Sequence, residues 1–120
     1  LGGHYFTAVN SNIGGHYDSS NSRFTVPVSG RYLITMNLAV TNSSFNAYGA
    51  WEWWINGARG WLGGWQRSDT SGYHRLTSST VLSLTKDDYL EPAYELHQAV
   101  TLLGSNNNWE YTGFTITLLT

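Results

Sequence analysis

The sequence predicts an all-β fold built from short antiparallel strands, and three observations carry that expectation. Apolar and polar residues alternate over several stretches, the pattern of a half-buried strand. No stretch keeps apolar residues at every third and fourth position, because Thr, Ser, Asn, Gly and β-branched residues recur too often. Aromatics make up 15% of the 120 residues against 12% charged ones, with 6 Trp and 8 Tyr, a composition suited to strands and contact surfaces.

Taken in chain order, strands are expected at Tyr5 to Val9 and at Arg23 to Val26. Ser29-Gly30 makes a turn, after which Arg31 to Leu38 sets Tyr32, Ile34, Met36 and Leu38 against a mixed second face, so a long strand begins there. Ala50 to Ile55 follows, and Asn56-Gly57 is the preferred pair for a two-residue type I′ hairpin. The chain should reverse at that pair and carry Trp61 and Trp65 back beside the strand. Further strands are expected at His74 to Leu84, Tyr89 to Leu96 and Ala99 to Leu103. The last, Thr112 to Leu118, puts Phe114, Ile116 and Leu118 on one face and Thr115 and Thr117 on the other. Thr41 to Ala47 and Gly104 to Asn108 are the long polar loops. Short strands at regular spacing imply a sandwich or barrel.

One core suffices for a chain of this length, so residues 1–120 form a single domain. A net charge of -2, with Lys86 as the single lysine and the arginines scattered from Arg23 to Arg75, provides no basic stripe for a nucleic-acid backbone. Without cysteine there is no disulfide framework, thiolate metal site or thiol nucleophile. No apolar run approaches the ~20 residues that span a bilayer, so membrane insertion is not expected.

From Tyr17 the chain reads Tyr17-Asp18, a short turn, Phe24, and then Pro27-Val28-Ser29-Gly30-Arg31-Tyr32 opening a long strand. Asn56-Gly57 closing a strand, a Ser-rich strand ending in Thr85-Lys86-Asp87-Asp88-Tyr89, and the terminal Tyr111-Thr112-Gly113-Phe114 follow in order. Together these pieces resemble the globular head of the complement C1q family, within the C1q and tumour-necrosis-factor type of jelly roll. The resemblance departs at Val26, where the family has a cysteine, and at Asp87-Asp88, where it has Gly-Asp. It implies an antiparallel jelly-roll sandwich of about ten strands working as a homotrimer. Heads of this family pack through the sheet that carries the first, third and last strands, which makes Tyr5, Tyr32 and Phe114 interface or core residues. The chain then reads as the C-terminal head of a longer parent protein, extracellular, on a cell surface or on a virion fibre.

The stretch least like that family holds five of the six tryptophans, between Trp51 and Trp65. On a strand Trp51, Trp53 and Ile55 share one face, and Glu52 and Trp54 the other. Glu52 argues that its own face is wet. Trp51 and Trp53 are then core, whereas Trp54 is partly exposed or covered by a neighbouring protomer. Trp54, Trp61 and Trp65 on a glycine-rich edge can form platforms for sugar rings or apolar ligands, with Glu52, Arg67 and Asp69 as hydrogen-bonding partners. The competing reading has Trp61 and Trp65 filling a gap under a loop or at a subunit seam, with Arg59 or Arg67 stacked on a ring.

Catalytic chemistry finds little support. Asp69, Ser71 and His74 lie close without a nucleophile motif around them. Glu91 and Glu95 share a strand face but read as solvated, as His97 continues the same face. His4, His16, His74 and His97 have no paired metal spacing, so no cofactor is expected; Asp87-Asp88 is at most a contribution to a Ca²⁺ site. Asn42-Ser43-Ser44 is a glycosylation triplet, meaningful only on a eukaryotic secretory route. The expectation is a non-catalytic trimeric head recognising a cell-surface glycan or protein, with a stalk-locking trimer module and a carbohydrate-active domain as alternatives.

Overall fold

The computed structural model describes residues 12–42, 47–68, 72–96, 101–102 and 113–120. Two antiparallel sheets face each other. The first runs in the order β1 (Tyr17–Asp18), β2 (Arg23–Thr25), β7 (Tyr89–Leu96), β4 (Ala47–Ile55), β5 (Ala58–Ser68). In the second, β3 (Gly30–Asn42) lies beside β6 (Gly72–Leu84) along its whole length. Its other edge is shared, by β9 (Gly113–Leu118) over residues 32–37 and by β8 (Thr101–Leu102) over residues 40–41. Nine strands lie among the described residues.

The core forms where inward positions of the two sheets meet. Tyr32, Ile34 and Met36 of β3, Leu84 of β6, Trp53 of β4, Leu90 of β7 and Val26 are buried together, with Phe24, Ile55, Leu82, Phe114 and Ile116 packed against them. Rings meet edge to face across the sandwich, as alternating ring quadrupoles favour: Trp53 with Phe114 at 5.0 Å, Tyr17 with Phe114 at 5.4 Å, and Phe24 with Tyr32 at 6.2 Å. The Tyr32 hydroxyl donates to the Val28 carbonyl at 2.6 Å, which satisfies its one polar atom.

The expected elements are largely present, with longer bounds. β3 runs on to Asn42 and β4 starts at Ala47, so both ends of the loop placed at Thr41 to Ala47 are strand. β5 is the return arm expected from the Asn56-Gly57 hairpin, although Gly60, Gly63 and Gly64 dilute its alternation; the two-residue β1 is an addition. Pro92 does not break β7: β2 pairs with β7 only at Tyr89 and Leu90, so at Pro92 the side away from β4 needs no N–H from the ladder. The strand expected at Tyr5 to Val9 and the loop at Gly104 to Asn108 lie outside the described residues.

The Ser29-Gly30 turn has a different cause from the one expected. Gly30 opens β3, and a side chain there would collide with the Thr120 carbonyl and with Leu118. The C-terminal segment lies that close because the Arg31 N–H donates to the Thr120 carbonyl and the Arg31 carbonyl accepts from the Leu119 N–H.

Two turns are tied together at one end of the sandwich. Asn56 and Gly57 both have positive φ, 52° and 83°, as the type I′ hairpin requires. The Asp88 carboxylate accepts from the Asn56 amide at 2.8 Å and from the Thr85 backbone at 2.9 Å, while Tyr89 N–H donates to the Asn56 side chain at 2.9 Å. Asp87 sits at φ 72°, a left-handed position where glycine is unstrained, so the glycine of the Gly-Asp pattern suits this position and Asp87 fills it with some strain. The hydrogen bonds from Asn56 and Thr85 hold the Asp88 carboxyl below the usual carboxylate range. A depressed folded-state value stabilises above the unfolded value, so that contribution is lost as pH falls below about 4. Asp88→Asn is expected to flatten the acid limb of a urea-midpoint-against-pH profile; an unchanged limb would show that the clamp carries no linkage.

Candidate functional site

The outward face of the five-stranded sheet holds the chemistry. Trp53 points into the core, so Glu52 and Trp54 project from the opposite side of β4, as alternation requires. The two-residue hairpin at Asn56-Gly57 sets Ile55 opposite Ala58 and Trp54 opposite Arg59. On the other side of β4, Trp54 lies opposite Glu91 and Glu52 opposite Ala93.

Glu52 is not on a wet face. Its side chain is fully buried (0% exposed) and sits beneath a lid formed by its neighbours. Trp54 Nε1 donates to Oε1 at 3.0 Å, and Arg59 Nε lies 2.6 Å from Oε2 in an ion pair whose N–H is poorly aligned for a hydrogen bond. A charged group is tolerated there because the guanidinium compensates it, while small Ala93 beside it leaves room. The expectation fails because a carboxylate in a strand reads as exposed unless a partner two strand positions and one hairpin away is counted.

This bond also sets the pose of Trp54. Positions two apart on a strand are separated by roughly 6.7 Å, so an indole N–H that reaches Glu52 lies along the strand instead of standing away from the sheet. Its ring is partly exposed. Beyond Glu91, Arg23 contributes an ion pair at 3.6 Å and stacks over Tyr89 with 4.0 Å to the ring centroid. Asp18, opposite Arg23, is held below the usual carboxylate range, first by the Ser20 hydroxyl and amide and then by the charge of Arg23.

The other expected ligand residues spread along β5. Trp61 pairs with Trp53, Trp65 with Ala50 and Arg67 with Tyr48, with irregularities in register between Trp51 and Glu52 and between Trp53 and Trp54. Position 65 is therefore four strand positions from the row of Trp54, roughly 13 Å away. The side chains of Trp61, Trp65 and Arg67, and all of Asp69, lie outside the described residues, as do Ser71 and the side chains of His74 and Glu95. In the sequence Arg59 reads only as a stacking partner, yet counting on from the Asn56-Gly57 turn puts it opposite Trp54.

Of the residues that the resemblance makes interface or core, Tyr32 lies in the core and Phe114 is half-buried against it. Tyr32 is 1% exposed within the single chain, and Phe114 packs inward on Trp53 and Tyr17. Tyr32 is enclosed by its own protomer, whereas Phe114 keeps part of its surface. Tyr5 lies outside the described residues.

Among the described residues no three metal-ligating side chains gather, and both Asp88 oxygens already accept protein hydrogen bonds. Among them too, no helix is long and apolar enough to cross a membrane.

A search of curated proteins finds none that matches the chain. The C1q domain profile matches residues 4–116. C1q domains are as a rule non-catalytic modules that bind ligands and commonly form trimers, typically in secreted or extracellular proteins. The matched span takes in both antiparallel sheets, and the position where that family has a cysteine, Val26, is a fully buried core residue. On the match over most of its length and the sandwich that fits it, this chain belongs to the C1q domain family.

Proposed function

We propose that the chain is one head of a homotrimer that recognises a surface ligand, glycan or protein, with the outward face of the five-stranded sheet, on a fibre, surface or secreted protein. The difference between the two outward faces carries the reading. One displays Trp54 and Arg59 over a buried carboxylate. The other, formed by β3, β6 and β9, carries only uncharged side chains over its middle: Leu33, Thr35, Asn37, Thr77, Ser79, Val81, Thr115 and Thr117.

That second face suits contact between copies. Thr35 and Thr115 hydrogen-bond each other, Thr77 donates to Asn37 at 2.8 Å, and Val81 stays 42% exposed. Four of its polar side chains are thus already paired with each other, which lowers the cost of covering them. Three copies of one weak site raise avidity without a stronger contact.

Light scattering is expected to give three times the 13.4 kDa of the chain, and Val81→Asp to shift it to one, because a carboxylate buried at the seam lacks a partner. A glycan and cell-surface binding screen on Trp54→Ala, Trp61→Ala and Trp65→Ala completes the test. Loss of binding in an intact trimer supports recognition. A trimer that binds nothing supports a stalk-locking module, and cleavage of soluble glycans by the isolated domain overturns the non-catalytic reading.

A further inference from the structure

We propose that Trp54, Arg59 and Glu91 form a subsite for one neutral pyranose ring, laid on the indole face with its hydroxyls bridging the two charged side chains. This rests on the reading that the outward face of the five-stranded sheet is the ligand face.

Four observations lead there. The Trp54 N–H is held by Glu52 at 3.0 Å, which ties the half-exposed ring down along β4. Glu52 itself is sealed and out of reach of any ligand; it positions Trp54 and Arg59 and touches nothing bound. Arg59, whose side chain is 56% exposed, lies on the β5 side of Trp54, and Glu91, 32% exposed, on the β7 side. Two strand spacings, roughly 9.6 Å, separate those flanks, about the span of one six-membered sugar ring with a hydrogen bond at either end.

The charges select the class. Among the described residues beside Trp54, each carboxylate has its own guanidinium, Glu52 with Arg59 and Glu91 with Arg23, so these four charges cancel. An anionic or cationic ligand gains no net attraction there, and the chain's charge of -2 disfavours an anion further. A donor fork on one side and an acceptor on the other suit hydroxyl groups, which both donate and accept. The C–H face of a pyranose suits the ring between them.

The test uses the intact trimer and calorimetric titration with neutral oligosaccharides of glucose, galactose and mannose, alongside a glucuronic acid oligosaccharide and a sulfated galactose oligosaccharide. At least one neutral series is expected to bind. Trp54→Ala should weaken it by tenfold or more. Arg59→Lys, which keeps a charge for Glu52 but loses the planar fork, and Glu91→Gln should each weaken it by roughly threefold to tenfold, with the urea midpoint showing that the fold is kept. Tighter binding of the acidic oligosaccharides, or a gain with Glu91→Gln, overturns the neutral-sugar subsite. So does neutral binding that Trp54→Ala leaves unchanged. If no saccharide binds while Trp54→Ala abolishes attachment to a cell surface, the subsite is refuted and the ligand face stands. If Trp54→Ala changes no attachment at all, both fall.

Discussion

Arg59→Ala is expected to cost about 3 kcal/mol of stability at neutral pH, far more than a surface arginine usually contributes. The reason is its partner. Glu52 is wholly enclosed, and removing the guanidinium 2.6 Å from Oε2 leaves a buried carboxylate with only the Trp54 N–H. The cost falls at the lower end of the range for broken buried pairs, because the arginine side is 56% exposed and water can enter where it stood. Glu52→Ala combined with Arg59→Ala should cost less than Arg59→Ala alone, since no stranded charge remains. Urea unfolding at fixed protein concentration measures all three chains. Wild-type stability in Arg59→Ala would mean that Glu52 is hydrated and that nothing rigid holds Trp54.

Trp53→Ala should be the most damaging core substitution, at about 3 to 5 kcal/mol. Trp53 is 0% exposed, heads the cluster of fully buried side chains, and meets Phe114 edge to face at 5.0 Å and 88°. In a domain of this size that is a fall in Tm of more than roughly 10 °C. Trp53→Phe separates volume from chemistry. Among the described residues Trp53 Nε1 is buried without an acceptor, so phenylalanine removes an unpaired donor while leaving a smaller void, and should cost less than half as much. Equal losses for the two variants would place the cost in the indole itself. Thermal and urea unfolding give the comparison.

The first substitution probes the proposed ligand face and the second the core beneath it, on the neighbouring strands β5 and β4. Much of this arrangement was legible. Alternation placed Tyr32, Ile34 and Met36 on one face of β3, and Phe114 and Ile116 on one face of β9, because the two-residue period of a strand writes burial into sequence. It also separated Trp53 from Trp54. Asn56-Gly57 gave the hairpin, since few residue pairs adopt positive φ twice without strain. The ordered motifs from Tyr17 to Phe114 gave the family that the profile match supports.

What alternation cannot express is an interruption of its own period. The register irregularities in the β4–β5 pair move Trp61 to the position opposite Trp53, where plain counting from Arg59 would put Gly60. Glycine allows that break: a side chain at Gly60 would run into Ile55. Nor can a single strand say which of its faces meets the other sheet and which meets a second copy. Tyr32 belonged to core or interface until the packing around it placed it inside, with Phe114 half-buried against that core.

The sequence by itself determined that this chain is an all-β sandwich with aromatic strands and a tight turn after Ile55, because those features depend on neighbours within a few residues. Only the tertiary structure decided that Glu52 is buried, that Arg59 compensates it, and that Trp54 is thereby laid down between Arg59 and Glu91. The burial of a charge depends on what three strands bring to one point, and no local pattern in the chain records that.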